Sequence, residues 1–254
     1  MTCYSFYFSP TGGSKKVVDA IVSKWDKKII SYNLLTDYLL LNNLELAKDD
    51  ICIFTVPSYG GRVANTVLDK LRCLNGNGCK AILVAVFGNR AIDDTLIELY
   101  DSLENNSFNC IAAIEGVAEH SLVNTFAEGR PDEKDINELQ DFGLKIDNLI
   151  KKDNYNLNIK IPGNRPYKIY NGVSVKPITS DECNDCGLCA KECPSGAIDI
   201  SNCKETDNFK CVSCMHCVAI CPQNARRLDE IMVNKTYEKL KDRCLIRKEN
   251  KLYF

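Results

Sequence analysis

The chain has 254 residues, 45% of them hydrophobic, and a formal net charge of −2 at pH 7. This length suits one large domain or two smaller ones, and the near-neutral charge argues against a general nucleic-acid-binding protein. No apolar run approaches the length of a membrane span, and the N-terminus lacks the basic region of a signal peptide. We therefore predict a cytoplasmic protein without a membrane span.

The charge is distributed unevenly along the chain. Residues 1–155 contain 16 Lys and Arg against 22 Asp and Glu, whereas residues 156–254 contain 16 against 12. We expect the positive excess of the second part to offset negatively charged groups bound there and to support docking, rather than to form a nucleic-acid face.

The N-terminal segment has the pattern of a strand, a glycine-rich turn and a helix. Residues 1–8 are β-prone, and an amphipathic helical pattern follows the turn. The N–H groups and positive dipole end of such a helix favour a bound anion, although an ordinary helix cap would have the same composition. The turn is neither a P-loop nor a dinucleotide fingerprint. The residues predicted to form this anion site are Ser9, Thr11, Gly12, Gly13, Ser14 and Lys15.

Further strands alternate with helices through the first part of the chain. Strands are predicted at residues 28–33, 50–56, 80–87 and 109–117, a short helix within 34–48, and longer helices at 63–74, from 93 onward, and at 131–152 with Pro131 in the first turn. This alternation predicts an α/β fold with a doubly wound, five-stranded parallel sheet in the order 2-1-3-4-5. A ligand is then expected at the carboxyl ends of strands 1 and 3.

The loop from Ser9 to Ser14 resembles the flavodoxin phosphate loop, [ST]-x-T-G-x-[ST], which binds the phosphate of FMN. The resemblance implies that the loops after the third and fourth strands flank the flavin ring, with Tyr59 stacking on it. The alternative for Tyr59 is a half-buried aromatic side chain that only packs. Further predicted FMN contacts are Ser58, Gly60, Gly61, Gly88, Asn89, Arg90, Asp94 and His120.

Two of these residues have plain structural alternatives. His120 is expected near the flavin or a substrate, but a loop histidine bonded to the backbone would look the same in sequence. Arg90, like Arg130, is expected to hold a flavin carbonyl or phosphate, and the alternative is a surface ion pair.

A change of composition predicts a domain boundary. Residues 154–172 contain Pro and Gly with few apolar clusters, which is typical of a connector. We therefore predict a first domain at 1–153 and a second at 173–254. In the second domain we expect a strand at 173–175, a short strand near Arg227 and a terminal helix at about 229–243 with a solvated charged face.

The second domain contains the pattern C-x2-C-x2-C-x3-C-P twice. This is the ligand pattern of two [4Fe–4S] clusters in which the fourth Cys of each run ligates the other cluster. A pair of zinc sites would instead use two C-x2-C pairs. One cluster is predicted at Cys183, Cys186, Cys189 and Cys221, and the other at Cys211, Cys214, Cys217 and Cys193.

The remaining cysteines are scattered, and Cys3, Cys52 and Cys110 lie in apolar strand patterns where they are expected in the core. So many free thiols fit a reducing cytoplasm, that of an anaerobe. His216, within the second cysteine run, is expected at the surface of a cluster rather than as a ligand, because four Cys already complete the site.

The whole chain resembles the flavodoxin–ferredoxin fusion proteins of anaerobic bacteria, an electron-transfer ferredoxin family. The resemblance is carried by the cysteine runs, the phosphate loop and the segments at 89–95, 119–121 and 129–132. It implies a flavodoxin-like domain that binds FMN, followed by a small α+β bacterial 2[4Fe–4S] ferredoxin domain.

We therefore predict an iron–sulfur flavoprotein that passes electrons between two [4Fe–4S] clusters and FMN, as a low-potential carrier between redox partner proteins. One cluster is expected near the flavin, in the same chain or across a homodimer. Two alternatives stay open: an FMN-dependent reductase of a small molecule, and a ferredoxin whose flavodoxin-like half is a docking scaffold without FMN. Whether the protein is an enzyme is left open by the sequence.

Overall fold

The computed structural model describes residues 1–153 and 155–254. Its main sheet has six strands in the order β2-β1-β3-β4-β5-β8, and a small sheet pairs β6 with β7. The strands are β1 Cys3–Tyr7, β2 Ile29–Asn33, β3 Ile51–Pro57, β4 Lys80–Phe87, β5 Asn109–Val117, β6 Pro177–Thr179, β7 Arg226–Leu228 and β8 Lys251–Tyr253. The helices are α1 Gly13–Val22, α2 Asn65–Leu71, α3 Thr95–Asn105, α4 Glu133–Lys151, α5 Leu188–Lys191, α6 His216–Ala219 and α7 Glu230–Cys244, with a 3-10 segment at Tyr38–Asn43.

The first five strands are parallel and have the predicted order 2-1-3-4-5. Strands β3, β4 and β5 are almost wholly buried, because helices cover both faces of the sheet. Helices α1 and α4 pack on one face with Ile82 and Ile114, and α2 and α3 pack on the other with Phe54 and Leu83. Near-continuous apolar strands are expected for a parallel sheet buried in this way.

The prediction of five strands is incomplete, because the C-terminus adds a sixth. Strand β8 runs antiparallel to β5, with Ala113 opposite Tyr253. The contact is reinforced by Asn250, whose Oδ1 accepts a hydrogen bond of 2.8 Å from the Val117 N–H. The added strand covers what would otherwise be an open edge of the sheet at β5.

Helix α4 begins two residues later than predicted. Asp132 is its N-cap, and the Asp132 and Asp135 side chains form a capping box with each other's backbone N–H groups. Pro131 therefore precedes the cap instead of occupying the first turn. Acidic residues at both positions also match the positive end of the helix dipole.

The strand predicted at 173–175 is wrong; β6 begins at Pro177 and pairs antiparallel with β7. The carbonyl groups of Val173 and Val175 accept hydrogen bonds from the Ser213 hydroxyl, at 3.3 and 2.8 Å. Val173 and Val175 thus hold a cysteine run in place instead of pairing in a sheet.

The predicted connector packs along α3. The Asp94 carboxylate accepts hydrogen bonds from the backbone N–H of Asn164 at 2.8 Å and of Lys168 at 2.7 Å. Arg62 donates to the Lys168 carbonyl at 2.6 Å and lies over the Tyr167 ring. The path of the chain toward the cysteine runs is therefore defined by the α/β part of the molecule.

Helix α7 returns the chain to the α/β unit. Its Tyr237 ring stacks on Phe126, with ring centroids 5.0 Å apart, and Leu240 packs in the same small cluster. Within residues 1–153 and 155–254, the helices are all too short or too polar to cross a membrane.

Candidate cofactor sites

The carboxyl edge of the parallel sheet contains a cavity of about 640 Å³, which we call the sheet-edge cavity. The loops after β1, β3, β4 and β5 surround it, as expected at the switch point of this topology. The predicted residues that line it are Ser9, Thr11, Gly13, Ser14, Ser58, Tyr59, Gly60, Gly88 and His120.

One end of the sheet-edge cavity is the turn that opens α1. Gly12 precedes the helix with φ +88°, a left-handed conformation that favours glycine. The Ser9 hydroxyl accepts a hydrogen bond of 2.9 Å from the Lys15 backbone N–H, which closes the turn. A ten-residue helix thus begins at the cavity, and the N–H groups of a first helical turn have no acceptor within the helix, an arrangement that suits a phosphate. The Lys15 side chain is exposed and pairs with Asp19.

The loop after β3 forms a second wall. Tyr59 is buried, and burial raises the pKa of its hydroxyl well above the usual value, with smaller contributions from Cys214 and Tyr170. Backbone hydrogen bonds between Tyr59 and Arg62, at 3.0 and 3.2 Å, close the turn. A Cβ at Gly60 would lie 2.7 Å from the Tyr170 ring, so this turn requires glycine for close packing as well as for its φ of +61°.

His120 is a neutral hydrogen-bond donor in this site. Its Nδ1 accepts hydrogen bonds of 3.2 Å from the backbone N–H groups of Leu122 and Val123. Burial lowers its pKa to about 4, and the neighbouring Arg90 charge acts in the same direction. With Nδ1 accepting, the proton of the neutral ring is on Nε2. The backbone-bonded alternative therefore holds for one ring nitrogen, while the side chain still lines the cavity.

An adjoining cavity of about 840 Å³ extends from the sheet edge toward α7. Arg90 and Lys239 contribute positive charge to it, and Arg90 is also paired with Asp93 at 2.7 Å. The residues that line both cavities are Ser58, Gly60, Phe87, Gly88, His120, Leu122 and Val173.

Several predicted residues do not line these cavities. Asn89 is buried beneath the C-terminal segment, where its side chain donates to the Ile246 carbonyl at 2.9 Å and accepts from the Lys248 N–H at 2.9 Å. Asp94 anchors the connector, as described above. A Cβ at Gly61 would lie 2.2 Å from the Asp93 carboxylate, so Gly61 is packed behind the loop. Their assignment to FMN, with that of Gly12 and Lys15, stays a prediction.

The cysteine runs surround two separate cavities of about 320 Å³ each. In both, three cysteines come from one run and one from the other run, and Cys203, between the two runs, is a further cysteine at one of them. The outer cysteine cavity is lined by Cys183, Cys186, Cys189 and Cys221, and also by Cys203. The inner cysteine cavity is lined by Cys193, Cys211, Cys214 and Cys217.

The two runs fold alike around these cavities. In the first, Asp185 and Gly187 have φ of +55° and +76°; in the second, Ser213 and Met215 have +55° and +64°. Each pair of left-handed residues wraps three cysteines around one cavity and leads into a short helix, α5 or α6. The helix then carries the fourth cysteine to the other cavity.

The chemistry of the cavities fits iron–sulfur clusters. Backbone N–H groups of Ala197 and Ser213 donate to the sulfurs of Cys193 and Cys211, at 3.3 and 3.4 Å, and such bonds tune clusters. Ile198 covers the inner cavity and Leu188 the outer one. In the part of the chain that the structure describes, no three Cys, His, Asp or Glu side chains converge as for a single metal ion.

The second cysteine run reaches the sheet-edge cavity. Ser213, between two inner cysteines, lines the sheet-edge cavity together with Val173. His216 Nδ1 lies 3.0 Å from the carbonyl oxygen of Pro10 in the phosphate-type loop. Thr66 of α2 donates to the Pro194 carbonyl at 2.7 Å. These contacts join the inner cysteines to the α/β unit at several points.

The sequence reasoning missed the residues that join the two parts of the molecule: Thr66, Tyr170, Val173 and Ser213. They lie on α2, the connector and the cysteine runs, and only the tertiary fold brings them together. Buried polar atoms without a hydrogen-bond partner give one indication of such positions. Among described residues, the buried side-chain polar atoms without a partner are Thr55 Oγ1, Tyr170 Oη and Arg226 Nε. Tyr170 lines a surface cavity together with Cys211, and Arg226 lines the outer cysteine cavity.

A family model described as a 4Fe-4S dicluster domain matches residues 182–226. Over 58 residues the chain is 47% identical to a subunit of the ion-translocating oxidoreductase complex of Methanosarcina acetivorans. That alignment covers 22% of this chain and 22% of the relative, so the chain spans only about a fifth of the length of this relative.

Solved flavodoxin structures are similar to the first part of the chain. A flavodoxin from the domain Archaea is 13% identical, with a TM-score of 0.43, and the match covers 59% of this chain and 99% of that one. The flavodoxin of Fusobacterium nucleatum, solved with flavin mononucleotide bound, is 19% identical, with a TM-score of 0.41 and coverage of 58% and 97%.

The molecule thus joins a flavodoxin-like α/β fold to a 4Fe–4S dicluster domain. The fold assignment depends on the 2-1-3-4-5 strand order, and the dicluster domain on the family match. The same two units, in the same order, are expected from the resemblance of the sequence to flavodoxin–ferredoxin fusions.

Proposed function

We propose that the protein transfers electrons between FMN in the sheet-edge cavity and two [4Fe–4S] clusters in the cysteine cavities. The observation that carries this proposal is that Ser213, which lies between the inner-cavity residues Cys211 and Cys214 in sequence, lines the sheet-edge cavity. The electron path would run from the outer cluster through the inner cluster to the flavin, or in reverse, within one chain. When bound, FMN exchanges one or two electrons and each cluster exchanges one.

The chain's own residues have clear tasks in holding FMN. The N–H groups at the start of α1, with the hydroxyl groups of Thr11 and Ser14, would bind the phosphate. The turns at Ser58–Gly60 and Gly88 would flank the ring. His120 would donate a hydrogen bond from Nε2, because its other nitrogen is occupied by backbone donors.

Redox partner proteins are proposed to exchange electrons at the outer cysteine cavity. Cys186 is exposed there, whereas Cys214 of the inner cavity is buried. The similarity to a component of an ion-translocating oxidoreductase complex supports a role beside other redox proteins. A partner that docks over the outer cavity would deliver electrons toward the flavin without contacting it.

A second candidate function is reduction of a small molecule by the flavin. The adjoining cavity favours it, since it opens beside His120 and contains the positive side chains of Arg90 and Lys239. A small anionic acceptor would fit this charge. Turnover of such an acceptor, lost in Lys239→Gln while electron exchange with a ferredoxin is kept, would support the reductase over the carrier.

The proposal is tested by the iron, acid-labile sulfide and flavin content of anaerobically purified protein. About eight iron atoms and one FMN per chain are expected from the ligand count. Thr11→Ala should weaken FMN binding, whereas Thr125→Ala, in an exposed loop outside the cavity, should not. Iron without flavin, before and after incubation with FMN, would contradict the FMN assignment and support a docking scaffold.

A further inference from the structure

Arg226 is a buried cation without a carboxylate partner. It lies in β7 opposite Thr179 and is only 2% exposed. Its terminal nitrogens donate to neutral hydroxyl groups, those of Thr179 and of Thr206, the latter at 2.8 Å. Across the described residues it forms no ion pair, whereas the buried Arg130 is paired with Asp135.

The third donor of the Arg226 guanidinium has no acceptor. Nε is buried and makes no hydrogen bond to any described residue. A buried charge with an unsatisfied donor destabilises a protein strongly unless a negative group lies nearby. We therefore expect a negatively charged group near Arg226 that is not a carboxylate of the described residues.

Arg226 lies between the two cysteine cavities. It lines the outer cysteine cavity with Cys189 and Cys221. The Thr206 hydroxyl that accepts its hydrogen bond of 2.8 Å lines the inner cysteine cavity. This one guanidinium is thus close to the ligands of both proposed clusters.

We infer that Arg226 is the shared counter-charge of the two clusters and raises the reduction potential of both. The inference rests on the proposed occupancy of the cysteine cavities by [4Fe–4S] clusters. A cluster with four thiolates has a charge of about −2 when oxidised and gains one more negative charge on reduction. A fixed positive charge beside it stabilises the reduced state more than the oxidised state. The Nε–H would donate to a sulfur of the outer cluster, whose cavity it borders.

The neighbouring residue provides a matched control. Arg227 has the same charge and lies in the same strand, but its side chain is exposed, so water screens its field. We expect Arg226→Gln to lower the equilibrium constant for reduction of each cluster at least about tenfold, which is about 59 mV for one electron. Arg227→Gln should change either potential much less.

The measurement is an anaerobic redox titration of the full-length protein followed by electron paramagnetic resonance, with iron and sulfide content measured on the same samples. Arg226→Lys keeps the charge and should keep both potentials closer to those of the unchanged protein than Arg226→Gln does. If Arg226→Gln does not retain its clusters but Arg226→Lys does, the requirement for charge is supported.

Several outcomes would overturn the inference. These are unchanged potentials in loaded Arg226→Gln, a shift of only one cluster, equal shifts in Arg226→Lys and Arg226→Gln, or loss of clusters in both variants alike. Absence of iron and sulfide from the unchanged protein would instead remove the proposed function on which the inference rests. The two failures are therefore distinguishable.

Discussion

The inner and outer cysteine cavities have the same ligand pattern and similar volume but different surroundings. The outer cavity is lined entirely by residues of the dicluster segment, and Cys186 at its edge is exposed. At the inner cavity, Cys214 is buried in the same apolar core as Tyr59, and Thr66 and His216 bind across the boundary. The two copies of the cysteine motif therefore lie in different environments, because the α/β unit contacts the inner cavity.

This difference gives the two cavities different roles in the proposed path. A cluster buried against the flavin site is shielded from partner proteins and suited to exchange with the flavin. A cluster close to the surface is suited to exchange with a partner. Electron transfer depends on the distance between the redox centres and on reduction potentials, which the surroundings of each centre tune. The difference between the inner and outer cavities can therefore be tested with substitutions that affect one cavity at a time.

The largest effect is expected from exchanging one crossed ligand. Cys193→Ala should remove the inner cluster or change its iron content. The outer cluster, whose ligands are intact, should be retained. Cys221→Ala, at the matching position of the second run, should do the reverse. Iron content and electron paramagnetic resonance of the reduced proteins measure which cluster remains.

The same pair of variants tests the order of the path. With the outer cluster lost in Cys221→Ala, reduction of the flavin by a small reductant through the inner cluster should remain. With the inner cluster lost in Cys193→Ala, exchange between the outer cluster and the flavin should slow by orders of magnitude. Equal rates in the two variants would contradict the distinction between an inner and an outer site.

A smaller effect is expected at the contact between the Tyr59 turn and the connector. Gly60→Ala would place a Cβ 2.7 Å from the Tyr170 ring at a φ of +61°. Left-handed strain and the clash should together lower the free energy of unfolding by about 2 kcal/mol. Because Gly60 lines the sheet-edge cavity, we expect about tenfold weaker FMN binding as well, measured by fluorescence titration.

Gly129→Ala is the control for Gly60→Ala. Gly129 has a φ of +72°, but nothing lies within 4 Å of its added Cβ. It should show the backbone strain alone, about 1 kcal/mol, and unchanged FMN binding. If both variants bind FMN equally well, the close packing of Gly60 on Tyr170 has no part in the flavin site.

Local sequence patterns predict much of this architecture. Strands β4 and β5 have the predicted bounds, because each is a continuous apolar run between turn signals. The spacing of the cysteines also predicts crossed sets of four, and each set lies around one cavity, with Cys203 in addition at the outer one. Short loops of fixed length limit where each side chain can reach, whereas the role of these cysteines as ligands stays a prediction.

Other features had no local signal. Strand β8 has three residues, too few for an alternating pattern, and it forms because the edge of β5 is available. Asn89 and Asp94 look like site residues in sequence, but their side chains bind backbone groups more than 65 positions away. Such partners are defined only when the chain has folded, as are the contacts of Ser213 and Tyr170.

The pH dependence of stability tests the environment of His120. Because burial lowers its pKa to about 4 from 6.5, the unfolded chain binds more protons between these values. The contribution to stability is complete above about pH 6.5 and decreases as the pH falls toward 4, by about 1 kcal/mol at pH 5.5. Thermal unfolding of His120→Gln should lack this difference between pH 7 and pH 5.5, whereas His216→Gln, the other histidine variant, should retain it. Equal pH dependence in His120→Gln and the unchanged protein would contradict a buried neutral ring.

The smallest effect is expected at Thr66, which distinguishes the two cysteine cavities most directly. Its hydroxyl donates to the Pro194 carbonyl beside Cys193, whereas Pro222, the matching residue beside Cys221, is exposed. Thr66→Val keeps the shape of the side chain and removes one hydrogen bond, so a loss of about 1 kcal/mol or less in unfolding free energy is expected. Thr125→Val, in an exposed loop, is the control. The lost hydrogen bond involves Pro194, which lines the inner cavity, so the inner cluster should be released first when Thr66→Val is heated mildly. Simultaneous release of both clusters would mean that the α/β unit stabilises the dicluster segment as a whole.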